Sequence, residues 1–175
     1  MPEAERLSPA LQEFVESMGV YFGRFGLPRI GGRILGLLMV TDRPLSLDDL
    51  ASTLQVSRAS ISTNMRLIIA SSLAEQISLP GDRRDYYRFG PDTWERSLKT
   101  ELDAIAMLRR LGERGLAAAR ASESTAREHL EELLEFCDLL IEDRSKTVER
   151  WLALKEAKRA GRLVSPDGAE VHKQA

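Results

Sequence analysis

The sequence is poor in cysteine, histidine and aromatic residues: one Cys, two His, and Phe, Trp and Tyr together only 6% of 175 residues. A lone Cys137 excludes an internal disulfide, and its apolar helical neighbours mark it as a small core residue rather than a nucleophile. His129 and His172 are too few and too scattered for a metal site. The longest apolar run, roughly ILGLLMV, is interrupted by Gly36 and stops far short of the ~18 residues of a membrane helix. MPEAERLSPA at the N-terminus lacks an apolar secretion core, so the chain reads as cytoplasmic. Gly31, Gly32 and Gly36 do not have phosphate-loop spacing, and no Gly-Lys-Ser/Thr follows. Without a Cys/His pair, a nucleotide loop or an acid–base constellation, neither an enzyme nor a cofactor is expected. Glu128, Glu131, Glu132 and Glu135 lie along a solvated helix face.

What is present is charge, and it is unevenly placed. The net charge is −2. Residues 57–90 hold Arg58, Arg66, Arg83, Arg84 and Arg88 against Glu75, Asp82 and Asp85. Residues 121–150 carry nine acids against three Arg and Lys146. One lobe could face a polyanion while the other repels it. From charge alone, ordinary solvated helix faces fit equally well.

Ser8-Pro9 is an N-cap followed by proline at the first helical position. Leu11, Phe14, Val15, Met18, Phe22 and Phe25 then recur at helical spacing, and Gly26 stops the helix. A second helix over residues 29–40 is apolar nearly all round and therefore central, its glycines allowing close packing. Ser46 with Asp49 forms a shortened capping box for a third, short helix. Ser57 caps a fourth, on which Ile61, Met65, Ile68 and Ser72 share one face. Ala59, Thr63, Arg66 and Ala70 lie opposite, with Ser60, Ser62 and Leu67 on the flanks. LAEQISL and DYYRF, joined by PGDRR, make a hairpin with Pro80-Gly81 at its tip. Asp92 with Glu95 opens a helix running to about Ala119, weakened at Gly112 and Gly115. A last long helix follows, and residues 161–175 read as a disordered tail.

In the helix at VSRASISTNM, Ser57, Ser60, Ser62, Thr63 and Asn64 all have middling or low helix propensity. Small hydroxyls at its start fit against base edges, short donors reach phosphates, and forked donors read guanine. Ser57, Arg58, Ser60, Ser62, Thr63 and Arg66 supply those types, and the helix N-terminus adds backbone amides for phosphate. Two short helices, a tight connection and a small hairpin give a winged helix-turn-helix. The fold class is therefore mainly α with a small β-hairpin wing, extended by long C-terminal helices.

LDDLASTLQVSRASISTNMRLI resembles the helix-turn-helix of the MarR superfamily, with Gln55 where such motifs often carry Gly. FGLPRIGGRILGLLMV and PGDRRDYYRFG resemble the GbsR/MarR-like group of bacterial and archaeal regulators. The resemblance covers roughly residues 10–95. It implies an Asp-x-Arg wing motif whose arginine reaches the minor groove; Asp82-Arg83-Arg84 matches it, with Arg84 in that role and Arg83 beside it. Asp82 is expected to orient an arginine, Arg88 to pair with Asp85 or Glu75, and Tyr86, Tyr87 and Phe89 to form wing core.

The resemblance also implies dimerisation through terminal helices. Leu130, Leu133, Cys137, Leu140 and Val148 approximate a heptad seam broken by Arg144; a monomeric bundle is the alternative. The organisation expected is a dimerisation helix over 1–27, a winged helix-turn-helix over 28–91, dimerisation helices over 92–160 and the tail. In GbsR-type relatives a pocket between the two regions uses aromatic rings for quaternary amines. Tyr21, Phe22, Phe25 and Trp94 fall near that junction, although core packing explains them too and none is assigned to a site. The expected function is a homodimeric repressor reading a palindromic double-stranded DNA operator. A small-molecule effector of unknown identity is its further partner. The alternative is a winged-helix module that binds an acidic protein.

Overall fold

The computed structural model describes residues 7–120 and 123–161, so the tail expected from residue 161 lies almost wholly outside the described residues. The chain divides into two compact units, one ending at Trp94 and the other beginning at Glu95.

In the first unit α1 (Pro9–Arg24) starts with Ser8 capping the amide of Leu11. It packs along α2 (Arg29–Met39), where Ile34, Leu35, Leu37 and Leu38 are fully enclosed. The close approach requires glycine: a Cβ on Gly32 would overlap the Met18 carbonyl of α1. Strand β1 (Leu45–Ser46) leads into α3 (Leu47–Leu54), whose capping box is complete. Ser46 Oγ accepts from the Asp49 amide at 3.2 Å, and the Ser46 amide donates to the Asp49 carboxylate at 2.9 Å.

α3 ends at Gln55, which adopts the left-handed conformation with φ 54° and ψ 45°. The turn is therefore made without glycine, at the cost of a strained backbone. Arg33 of α2 donates to the Leu54 carbonyl at 3.1 Å, closing the end of α3. Ser57 Oγ then accepts from the Ser60 amide, starting α4 (Arg58–Ala70). Ile61, Met65 and Ile68 of α4 enter the core with Leu45, Leu50, Leu54 and Tyr87.

The wing comprises β2 (Glu75–Ser78) and β3 (Asp85–Arg88), with Glu75 opposite Arg88 and Ser78 opposite Asp85. The sheet has three strands rather than the hairpin's two, because β1 pairs with β3 in the order β1-β3-β2. Two residues are too short a stretch to show the alternation by which a strand is recognised.

The second unit is an antiparallel pair, α5 (Thr93–Ala118) against α6 (Ser124–Arg159). Cross-helix ion pairs fix its direction: Lys155 meets Glu95, Arg144 meets Glu101 and Arg109 meets Asp138. α5 runs unbroken through Gly112, whose missing side chain leaves room for Leu134 of α6. Leu130 and Leu133 lean on α5 in the same way, Arg144 is tied to it, and Cys137 is fully buried within the single chain. The heptad-like seam therefore packs within the hairpin. Phe136 and Leu139 point elsewhere and are more than half exposed.

Candidate nucleic-acid interface

α4 has its apolar face fastened to the core, so its other face is fixed outward. Arg58, Ala59, Thr63, Arg66 and Ala70 are exposed, whereas Ser60 and Ser62 are half-buried on the flanks. Leu67, at 53% exposure, joins Thr63 and Arg66 on the outer strip. Ser57 is an exposed cap. Asn64 is turned inward: its amide nitrogen donates to the Ser60 carbonyl at 2.9 Å, and its buried side-chain oxygen, facing Gly31, has no partner among the described residues.

The wing tip is ordered by a three-residue lock. Arg84 Nε lies 3.0–3.1 Å from both Asp82 oxygens, and its terminal nitrogen donates to Asp82 at 2.6 Å. The same nitrogen donates to the Tyr86 hydroxyl at 2.6 Å, and that hydroxyl donates to Asp82 at 2.7 Å. The Arg84 amide also bonds Asp82, at 2.9 Å. These bonds, the Arg84 side chain first, hold the Asp82 carboxyl well below the usual carboxylate range. The hydrogen bond to Asp82, followed by burial, pushes the Tyr86 phenol up. Asp82 thus orients Arg84. Arg88 pairs with Glu75 at 2.7 Å, and Tyr86 and Tyr87 are buried.

Recognition helix and wing meet at a cleft of about 220 Å³ lined by Ser46, Asp48, Arg58, Arg83, Arg84 and Asp85 among others. Arg58 Nε is 2.8 Å from Asp48 at the start of α3. Among the described residues no carboxylate pairs with Arg83 or Arg66. Arg58, Arg83 and Arg84 are therefore brought together, while Thr63 and Arg66 lie further along α4.

Sequence reasoning missed Asp48 and the Tyr86 hydroxyl. Asp48 carries no spacing signal, because only the turn of the chain brings it to Arg58. Tyr86 could have been found: Asp82, Arg84 and Tyr86 alternate, and alternate residues of an extended segment share a face.

Tyr21 meets Phe25 and Phe22 at ring distances of 5.0 and 6.1 Å, whereas Trp94 meets Phe89 edge-to-face at 5.4 Å. A separate cleft of about 740 Å³ runs between α1, α2 and the end of α3, lined in part by Val15, Glu16, Arg33, Leu37 and Leu54. Arg33 spans it, bonded to Glu16 at 2.8 Å. No group of metal-ligating side chains occurs among the described residues, and none of their helices is long and apolar enough to cross a membrane.

Comparison with known proteins gives concordant likenesses. Residues 92–155 match the family described as MmpR5-like MarR family transcriptional regulator. The HTH-type transcriptional regulator MmpR5 of Mycobacterium tuberculosis (strain ATCC 25618 / H37Rv) is 35% identical over 139 residues, 77% of this chain and 84% of that protein. The HTH-type transcriptional repressor OpcR of Bacillus subtilis (strain 168) is 27% identical over 86 residues, 49% of this chain and 46% of that protein. A crystal structure of a transcriptional regulator superposes with a TM-score of 0.75 at 33% identity, covering 82% of this chain and 98% of that one.

Proposed function

The chain belongs to the MarR family of DNA-binding, HTH-type transcriptional regulators, and from that premise we propose that it is a homodimeric, cytoplasmic repressor reading a palindromic operator. α4 enters the major groove through Ser57, Arg58, Ser60, Ser62, Thr63 and Arg66, and the wing tip over residues 80–85 enters the minor groove through Arg84, with Arg83 beside it. The observation that carries this reading is the convergence of Arg58, at the start of α4, with Arg83 and Arg84 of the wing on one surface. Phosphate contacts position such a surface and base contacts specify the site.

The dimer is supported by apolar side chains exposed on or beside the terminal helices: Tyr21 of α1 and Phe25 just past its end, Met107 and Leu111 of α5, Phe136 and Leu139 of α6. Exposed apolar groups of this size mark association surfaces. A dimer also places two recognition helices on a two-fold axis. FGLPRIGGRILGLLMV and PGDRRDYYRFG support a GbsR-type reading of the first unit. The effector of such a regulator fits the cleft at Arg33 better than the exposed Tyr21–Phe25 pair. No observation favours an acidic protein partner.

Selecting bound duplexes from a random pool tests the proposal. The recovered site should contain two inverted half-sites one helical turn apart, about 34–36 Å. Recovery of no sequence preference would overturn it.

A further inference from the structure

We propose that a single DNA backbone phosphate per half-site seats in the cleft between the start of α4 and the wing, held jointly by Arg58 and Arg83. This rests on the DNA-binding reading and names the chemical group that occupies that part of it. The cleft, about 220 Å³, is smaller than the roughly 300–1,000 Å³ of small-molecule pockets, so its occupant is a small group. Three guanidinium groups and two carboxylates line it, which favours an anion.

The three arginines are not equivalent. Arg84 is locked to Asp82 and Tyr86 and lends charge without being free to turn. Ser46 Oγ is engaged with Asp49 and has no spare proton for a ligand. Arg83 is exposed and has no carboxylate partner among the described residues. Arg58 is held by Asp48, but the two side chains are 64% and 60% exposed. An ion pair this exposed is weak and readily exchanged. A backbone phosphodiester offers the planar fork two anionic oxygens, as the Asp48 carboxylate does, and takes its place. Asp48 then acts as a stand-in for phosphate in the free protein. The shared phosphate ties the major-groove helix to the minor-groove wing in one register.

The test measures duplex affinity against salt for the full chain, using any fixed duplex, since phosphate contacts are independent of sequence. Arg58→Ala and Arg83→Ala should each flatten the logarithmic salt dependence by less than about one unit per half-site, since the remaining arginine still meets the phosphate, and the double variant by about one unit. Loss of about two units in the double variant would assign separate phosphates and overturn the clamp, as would no change in it. Asp48→Asn should tighten binding roughly twofold to fivefold, the strength of an exposed pair, and should do nothing in the Arg58→Ala background. Equal tightening in both backgrounds, or weaker binding, would overturn the exchange. Thermal unfolding of each variant checks that it remains folded. If the parent itself binds no duplex at any salt concentration, the DNA-binding reading fails, and the clamp with it.

Discussion

At the scale of single residues, the wing depends on a lock that is insensitive to ordinary pH. Asp82 has a depressed folded pKa relative to its usual 3.8, so its stabilising effect is fully present above that value. It is lost only as pH falls through the depressed folded value. The carboxyl resonance of Asp82 should therefore stay unshifted from neutral pH down past 3.8, with a midpoint well below it. A midpoint at or above the usual value would mean that the lock does not form in solution. Gln55 offers a second test. A left-handed non-glycine residue costs roughly 1–2 kcal/mol, and glycine returns part of that gain as chain entropy. Gln55→Gly should raise stability by about 0.5–1 kcal/mol in denaturant melts; a loss would show that the Gln55 side chain supports the turn.

At the scale of elements, the helices and wing were legible because their signals are local. Ser8, Ser46 and Ser57 each cap the helix they were expected to open. The apolar face of 57–70 is the buried face of α4, and the wing strands fall inside LAEQISL and DYYRF. Features set by tertiary proximity were hidden: the β1–β3 pairing, the Arg58–Asp48 pair and the inward turn of Asn64. The heptad-like spacing on α6 was visible, but periodicity does not say which helix fills the seam, and α5 does. The α1–α2 contact gives a sharp prediction. Gly32→Ala drives a methyl group into the Met18 carbonyl, so it should cost about 1–3 kcal/mol by overpacking. Melting at the parent temperature would contradict that geometry. Ser46→Ala removes an N-cap and should cost roughly 0.5–2 kcal/mol in the same assay.

At the scale of the whole molecule, an anchored helix α4, a locked wing and terminal helices with exposed apolar side chains occur in one chain. Charge on the exposed strip of α6 should separate assembly from folding. Leu139→Glu, at a side chain 64% exposed in the single chain, should leave helical content intact while halving the sedimenting mass. An unchanged two-chain mass would move the proposed contact elsewhere, and a parent with the mass of one chain would contradict the proposed dimer. The DNA-reading surface is tested most directly by titrating the parent, Arg66→Ala and Arg84→Ala against operator and scrambled duplex. A base-edge contact is worth roughly 1–3 kcal/mol of discrimination, whereas minor-groove readout is degenerate and depends on groove width. Arg66→Ala should lose affinity mainly for the operator and relax preference at one position per half-site, while Arg84→Ala weakens both duplexes more evenly. If both variants bind both duplexes as the parent does, α4 and the wing are not the reading surface.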